Sequence, residues 1–475
     1  MSRDELRSDL AELNAEISTL QTQLARLRVD RKRVFDKLAA IVYPVLTLPD
    51  DVTAEIFLQY VRDYRYNRLK CGPMVLASVC KSWREVALSN PRLWSRFDTG
   101  LTPGVWDLKP TLLQMFISRS GQLPLTLRIT LGFLSPSELE VLDIVGKHIS
   151  QCGSLDLEVS VRAPFPISTP AQLPLLTSLH FRGKNDVASI TLPFLLDAPR
   201  LREVKLVRIS SLDWRTYLPW SQLTTLRLLY QRSFTECLEM VYQTPNLELL
   251  EFCHYGESEP AESSQPRILA RLHTLELSAK SSYGIIPHLT LPALRDLSMV
   301  QPRANCASIL KDLMERSKCS PTTLLLSTDY DNPNDVGRTK SILALLPTVS
   351  KLTLGCDDLD DDSFEELLEL LGSPICPALT SLTLRECPSE LMLTPLVEML
   401  QSLMNLDPPR LSSFKLAIDT NLEGEGVERE DEDAEEWDSI DQLHRLRLAG
   451  LEIDIPSKNN WLKNTLNSRV VDVPR

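Results

Sequence analysis

The chain has 475 residues, 43% hydrophobic and 24% charged, a composition that excludes collagenous and wholly disordered classes. At that length one compact core gives way to several domains or to an elongated repeat array. The net charge of −13 is concentrated in residues 419–441, which carry twelve acids and one base, so the remainder lacks the broad basic footprint of a nucleic-acid binder.

Ten cysteines, no two closer than nine positions, form no paired zinc or redox motif and read as buried free thiols. The N-terminus opens on charged residues, and no stretch approaches the roughly 18 apolar residues of a membrane span. The expectation is a cytoplasmic or nuclear protein that engages neither membrane nor nucleic acid.

The first element predicted is one long helix. Leu6, Leu10, Leu13, Ile17, Leu20, Leu24, Leu27, Arg31, Val34, Leu38 and Ile41 are separated alternately by four and three residues, the heptad spacing of a coiled-coil seam. No glycine or proline interrupts residues 1–42, and Pro44 supplies the stop. Such a stripe either pairs with a second copy through residues 6–41, making a homodimer, or, without a partner chain, packs on its own domain or stays partly solvated.

Next, residues 43–97 read as a small helical module. In Leu48-Pro49-Asp50-Asp51-Val52-Thr53-Ala54-Glu55-Ile56-Phe57, Asp50 or Asp51 can cap a helix beginning near Val52. Leu76, Val79, Cys80, Trp83, Val86 and Ala87 follow at helical spacing, and Asn90-Pro91-Arg92-Leu93-Trp94 closes the segment with a turn and an aromatic anchor.

The run LPDDVTAEIF followed by LASVCKSWREVALSNPRLW resembles an F-box, and the whole architecture resembles the F-box-like proteins of mushroom-forming fungi. The resemblance implies that Leu48, Pro49, Val52, Ile56, Phe57, Val79, Cys80 and Trp83 face a Skp-family adaptor or support the face that does. Leu93 and Trp94 would close the module, and the adaptor would join the chain to a cullin-RING ubiquitin ligase. The polar spacer Arg62–Pro73 is longer than in compact F-boxes.

Residues 98–172 read as a transition with atypical first repeats, because Ser137–Ile149 followed by Leu155–Val161 suggests a first unit well before residue 173. Over 173–456 the pattern apolar-x-x-apolar-x-apolar recurs, beginning at Leu176, Leu201, Leu223, Leu247, Leu272 and Leu294, with intervals of 25, 22, 24, 25 and 22 residues. That period of about 20–29 residues is that of leucine-rich repeats. A degraded copy lies at Pro321–Leu326, and later copies begin at Val349, Leu379, Leu411 and Leu443. The fold class expected is α/β, a curved solenoid with a parallel sheet inside and helices such as Ser363–Leu371 and Thr394–Leu403 outside. The usual polar position after the strand holds Lys184, Ile209, Tyr255 and Pro302, so an irregular array is expected.

Strand alternation turns the residues between the leucines onto the concave face. The row His180, Lys205, Arg227, Glu251, Glu276, Ser298, Thr353, Thr383, Lys415 and Arg447 sets a basic patch beside an acidic one, with a second basic patch later. Its charged members, His180, Lys205, Arg227, Glu251, Glu276, Lys415 and Arg447, are the candidate contacts to an unknown protein target; a generic solvated strand face is the other reading. The acidic insert 419–441, with Gly424, Gly426 and Trp437, reads as a disordered loop, and 457–475 as a tail.

No phosphate loop, nucleophile elbow or metal-ligand motif is present, so no catalytic residue, cofactor or metal is expected. Cys253-His254 is the nearest to a reactive pair, but adjacent strand residues point to opposite faces. The function expected is a non-catalytic substrate receptor of a ubiquitin ligase. The alternative is a leucine-rich-repeat scaffold that no longer binds the adaptor, and the long spacer favours it.

Overall fold

The computed structural model describes residues 3–39, 47–63, 72–98, 110–132, 135–159, 172–183, 197–208, 218–256, 265–327, 335–356, 359–387, 393–405, 411–418 and 434–454. Two compact units are formed, Met1–Ser95 with Ile117–Gly121, and Arg96–Phe116 with Gln122–Arg475.

In the first unit, α1 (Arg3–Ala39) is one uninterrupted helix of 37 residues; the expected end at Val42 lies outside the described residues. Every described side chain on it, from Ser8 to Lys37, is exposed. The helices α2 (Asp50–Asp63), α3 (Gly72–Val79) and α4 (Lys81–Ser89) follow. α2 starts two residues earlier than its acids suggest, because the Thr53 N–H donates to the Pro49 carbonyl at 3.0 Å. Asp50 and Asp51 therefore sit inside the first turn, where they oppose the positive end of the helix dipole. The predicted spacer is shorter than its sequence suggests: Arg62 and Asp63 belong to α2, Gly72 and Pro73 to α3, and 64–71 lie outside the described residues.

The second unit is built on a 14-stranded all-parallel sheet, an α/β solenoid of the leucine-rich-repeat kind. Its strands are β1 (Arg96–Asp98), β2 (Leu125–Leu131), β3 (Cys152–Val159), β4 (Ser178–Gly183), β5 (Glu203–Val207), β6 (Thr225–Gln231) and β7 (Leu249–His254), then β9 (Thr274–Ser278), β11 (Asp296–Val300), β12 (Thr323–Ser327), β13 (Lys351–Gly355), β14 (Ser381–Cys387), β15 (Ser413–Ile418) and β16 (Glu452–Asp454). A short outer pair, β8 (Arg267–Ile268) and β10 (Leu289–Thr290), stands apart. The sheet begins at Arg96, well before the repeat pattern is legible at 173, because β1 and β2 lack the full leucine spacing.

The leucines stack in register. Leu179, Val204, Leu226, Leu250, Leu275, Leu297, Leu324, Leu352 and Leu382 pair strand to strand, and all are essentially inaccessible. Burying each such side chain contributes about 1.5–3 kcal/mol. No repeat can bury its own stripe alone, so each needs its neighbours.

Among the described residues the expected irregularity includes bulges at Leu125/Thr126, Leu229/Gln231 and Arg385/Cys387. In place of the polar residue that ordinarily follows the strand, a ladder runs before it. The Thr177 N–H donates to the Gly153 carbonyl, Thr224 to Arg202, Thr322 to Arg295, Ser350 to Thr322 and Thr380 to Ser350, each at 2.8–2.9 Å. Hydroxyls of Thr177, Ser350, Thr380 and Ser412 reach the same kind of carbonyl one repeat back. Short polar side chains at that entry position thus add a second hydrogen bond to the carbonyls that open successive strands.

The last copy departs from the reading. Leu443, Leu446 and Leu448 are not a strand but the end of a helix, Ala434–Leu448, and the final strand is β16. This helix packs on the helix Leu393–Met404 through Thr394–Ser439 and Gln401–Gln442 hydrogen bonds of 3.1 and 2.6 Å. Residues 434–441 of the acidic insert are accordingly helical, while 419–433 and the tail 457–475 lie outside the described residues. Among the described residues no helix is long and apolar enough to cross a membrane.

Candidate functional site

The small helical unit divides the candidate adaptor residues into two sets. Phe57, Leu93 and Trp94 are buried with Leu58, Leu76, Val86 and Ala87 as the core. Leu48, Val52, Ile56 and Val79 are 37%, 43%, 48% and 57% exposed. Val52, Ile56 and Tyr60 lie at successive four-residue steps, so they form one exposed stripe along α2. Pro49 is exposed beside it.

Polar contacts fix this small core. The Trp94 Nε1 donates to the Ala87 carbonyl at 2.8 Å, and the Arg119 guanidinium lies 4.9 Å from the Trp94 ring. Cys80 is the N-cap of α4, its Sγ accepting from the Trp83 N–H at 3.5 Å, while Arg84 Nε donates to the Ala77 carbonyl at 2.8 Å. Trp83 is half-buried with its ring edge on Phe57 at 5.0 Å. Its Nε1 is buried and has no hydrogen-bond partner among the described residues.

On the sheet face opposite the stacked leucines the register brings His180, Lys205, Arg227, Glu251, Glu276, Ser298, Thr353, Thr383 and Lys415 into one row, with Leu325 filling the gap. Upstream the row continues through Asp156, Arg128 and Asp98. Arg447 is not in it: it lies exposed on the terminal helix, and Asp454 takes its place, 2.8 Å from Lys415.

The two charge patches are not separate. Arg227 stands 2.6 Å from Glu251, 3.7 Å from Glu203 and 3.9 Å from Glu276. His180 lies 3.5 Å from Glu203 and 3.9 Å from Asp156, and Arg128 is 2.9 Å from Asp156. The strand spacing of about 4.8 Å places opposite charges on adjacent strands within ion-pair reach, so the row is a self-compensating ladder. Burial works against the Arg227 guanidinium, but the hydrogen bond and charge of Glu251, with Glu276 and Glu203, carry it above its usual range. Burial and the neighbouring Glu251 charge raise the Glu276 carboxyl.

Sequence reasoning missed the strand exits. Arg208, Tyr230, Ala279 and Gln301 have φ of 55°, 56°, 74° and 51°, left-handed conformations that non-glycine residues rarely adopt. The kink at Tyr230 coincides with the β6–β7 bulge and turns its ring outward onto Tyr255, stacked at 5.4 Å and 11°. Both rings are exposed, and the Arg208 guanidinium lies 5.3 Å from the Tyr230 ring. Beside them a depression of about 350 Å³ is lined by Tyr255, Gly256, Ala279, Lys280, Gln301 and Arg303. The available signal was Tyr255 standing where a repeat ordinarily carries a small polar residue.

Cys253 and His254 are both buried and do not form a nucleophile and base. His254 Nε2 faces the Arg232 carbonyl at 3.1 Å, and burial lowers its pKa while burial raises that of Cys253. Cys152 and Cys237 are pushed up to about 12 by burial, as befits packed thiols. Cys80 and Cys319 are half-buried. Among the described residues no group of acidic, histidine and cysteine side chains could hold a metal.

No family model and no curated protein matches the chain. Among solved structures, a TLR13–ssRNA13 complex is similar at 17% identity with a TM-score of 0.35, covering 64% of this chain and 44% of that one. This chain thus spans less than half of that protein's length.

Proposed function

We propose that the chain is a non-catalytic substrate receptor, an F-box protein whose module at residues 43–97 binds a Skp-family adaptor of a cullin-RING ubiquitin ligase while its repeats hold a target protein. The observation that supports it most is the division within the helical unit: Phe57, Leu93 and Trp94 form a core, and Leu48, Val52, Ile56 and Val79 remain outside it. An exposed apolar stripe such as Val52, Ile56 and Tyr60 on a small module suits a docking surface. For the target, the self-compensated ladder around Arg227 offers register and selectivity, and the Tyr230–Tyr255 pair offers the aromatic anchor enriched at protein interfaces.

The test is co-purification of the full chain with a Skp-family adaptor, compared with a Leu48→Ala, Ile56→Ala, Val79→Ala variant. These three side chains are exposed, so the variant keeps its fold. Binding by the intact chain, weakened at least about tenfold in the variant, supports the reading. An intact, folded chain that does not bind the adaptor overturns it in favour of a leucine-rich-repeat scaffold.

A further inference from the structure

The long N-terminal helix carries two properties that together select a partner and an orientation. The first is an unsatisfied seam. Leu10, Leu13, Ile17, Leu20, Leu24, Leu27 and Val34 are 49–65% exposed although they repeat at heptad positions over more than three heptads. That length meets the threshold of about three to four heptads at which a coiled coil becomes a stable arrangement.

The second is charge polarity. Residues 8–22 carry Asp9, Glu12 and Glu16 and no base, a net of −3, whereas residues 23–37 carry Arg26, Arg28, Arg31, Lys32, Arg33 and Lys37 against Asp30 and Asp36, a net of +4. The helix dipole accounts for charges only in the first and last turns. Glu12, Glu16, Arg26 and Arg28 lie in the interior of the helix, away from both of those turns, so the polarity addresses something beside the helix.

We propose that α1 pairs with α1 of a second copy of this chain as an antiparallel coiled coil. A parallel pair would set the −3 halves together and the +4 halves together, and it would place Arg31, a seam residue, against Arg31 of the second copy. Reversing one helix sets each acidic half on a basic half and puts Arg31 across from Leu13, beside Glu16 at position g of the second copy. Taking Leu10 as position a, Asp9 and Lys37 both fall at position g, and in the antiparallel register that aligns Leu10 with Val34 they face one another. Glu16 against Asp30 is the like-sign contact in that register, and Arg31 adjoins it. The paired helices are each about 55 Å long, from 37 residues at about 1.5 Å each, and leave the pair at opposite ends.

Sedimentation of the full chain at micromolar concentration and low salt tests the pairing. The intact chain is expected to be a dimer, and Leu20→Lys with Leu24→Lys a monomer with unchanged solenoid melting, since those side chains are exposed in the single chain. An Asp9→Lys, Glu12→Lys, Glu16→Lys variant is expected to dimerise at least about tenfold more weakly, because each basic half then meets a basic half. A zero-length Asp9–Lys37 cross-link must come from two copies, since one helix separates these residues by about 42 Å; its formation in the dimer supports the orientation. A monomeric intact chain overturns the proposal, as does a dimer whose dissociation constant the charge variant leaves unchanged.

Discussion

Two tryptophans eleven positions apart illustrate how little residue type alone decides. Trp94 donates its indole N–H to the Ala87 carbonyl in the core, whereas the buried Nε1 of Trp83 has no partner among the described residues. Removing the first donor leaves a buried carbonyl unsatisfied, so Trp94→Phe is expected to cost about 1–3 kcal/mol. Trp83→Phe keeps the edge contact with Phe57 and removes an orphan donor, so it is expected to stay within about 1 kcal/mol of wild type or to gain stability. Denaturant unfolding followed by far-ultraviolet dichroism compares them; equal losses would show that Trp83 meets a partner in solution. On the charged face of the sheet, Glu276 has a raised carboxyl pKa, so its ionisation opposes folding. That contribution favours the fold below the ordinary glutamate pKa and is lost as pH rises through the raised value. Glu276→Gln is therefore expected to raise the thermal midpoint at neutral pH, with the gain shrinking as the solution is acidified below the usual glutamate range.

At the scale of elements, the terminal helix shows why a spacing can be read correctly and assigned wrongly. Leu443, Leu446 and Leu448 match the strand pattern of the other repeats, but Leu443 and Leu446 also stand one helical turn apart, and both are buried while Leu448 is exposed. Periodicity over six residues does not separate the two. The deciding signal was Gly450, whose φ is +102°. Its N–H donates to the Arg447 carbonyl and that of Leu451 to the Leu446 carbonyl, the paired bonds of a helix closed by a left-handed glycine. Gly450→Ala forces a Cβ into that conformation and is expected to cost about 1–2 kcal/mol, read as faster amide exchange in β16. By contrast, strands β4 to β7 were legible because consecutive copies of the full leucine spacing recur every 22 to 25 residues, whereas β1 was not, since Arg96-Phe97-Asp98 holds no leucine, nor β2, where Pro124 stands in place of the first leucine of the spacing. Which members of the adaptor set face outward was likewise invisible: Ile56 and Phe57 are adjacent and both apolar, and only the three-helix packing buries one and exposes the other.

For the whole molecule, the repeat architecture makes position along the array matter more than burial. In a solenoid each repeat contacts only its neighbours, so stability is close to a sum of repeat and interface contributions. Leu354 on β13 and Leu451 before β16 are both almost completely inaccessible, yet the first is flanked by β12 and β14 and the second belongs to the edge, where β16 pairs only with β15. Leu354→Ala is expected to cost about 2–5 kcal/mol, the range for a cavity in a packed core. Because both neighbouring interfaces include that cavity, it should loosen β12 to β14 together while strands β2 to β4 keep their protection. Leu451→Ala removes a comparable side chain but can be relieved by fraying the last repeat, so its effect on the main unfolding transition should be much smaller. Native-state hydrogen exchange resolves the two patterns. Uniform acceleration across all strands in the Leu354 variant would mean that the array unfolds as one cooperative unit, and the nearest-neighbour account of its stability would have to be abandoned.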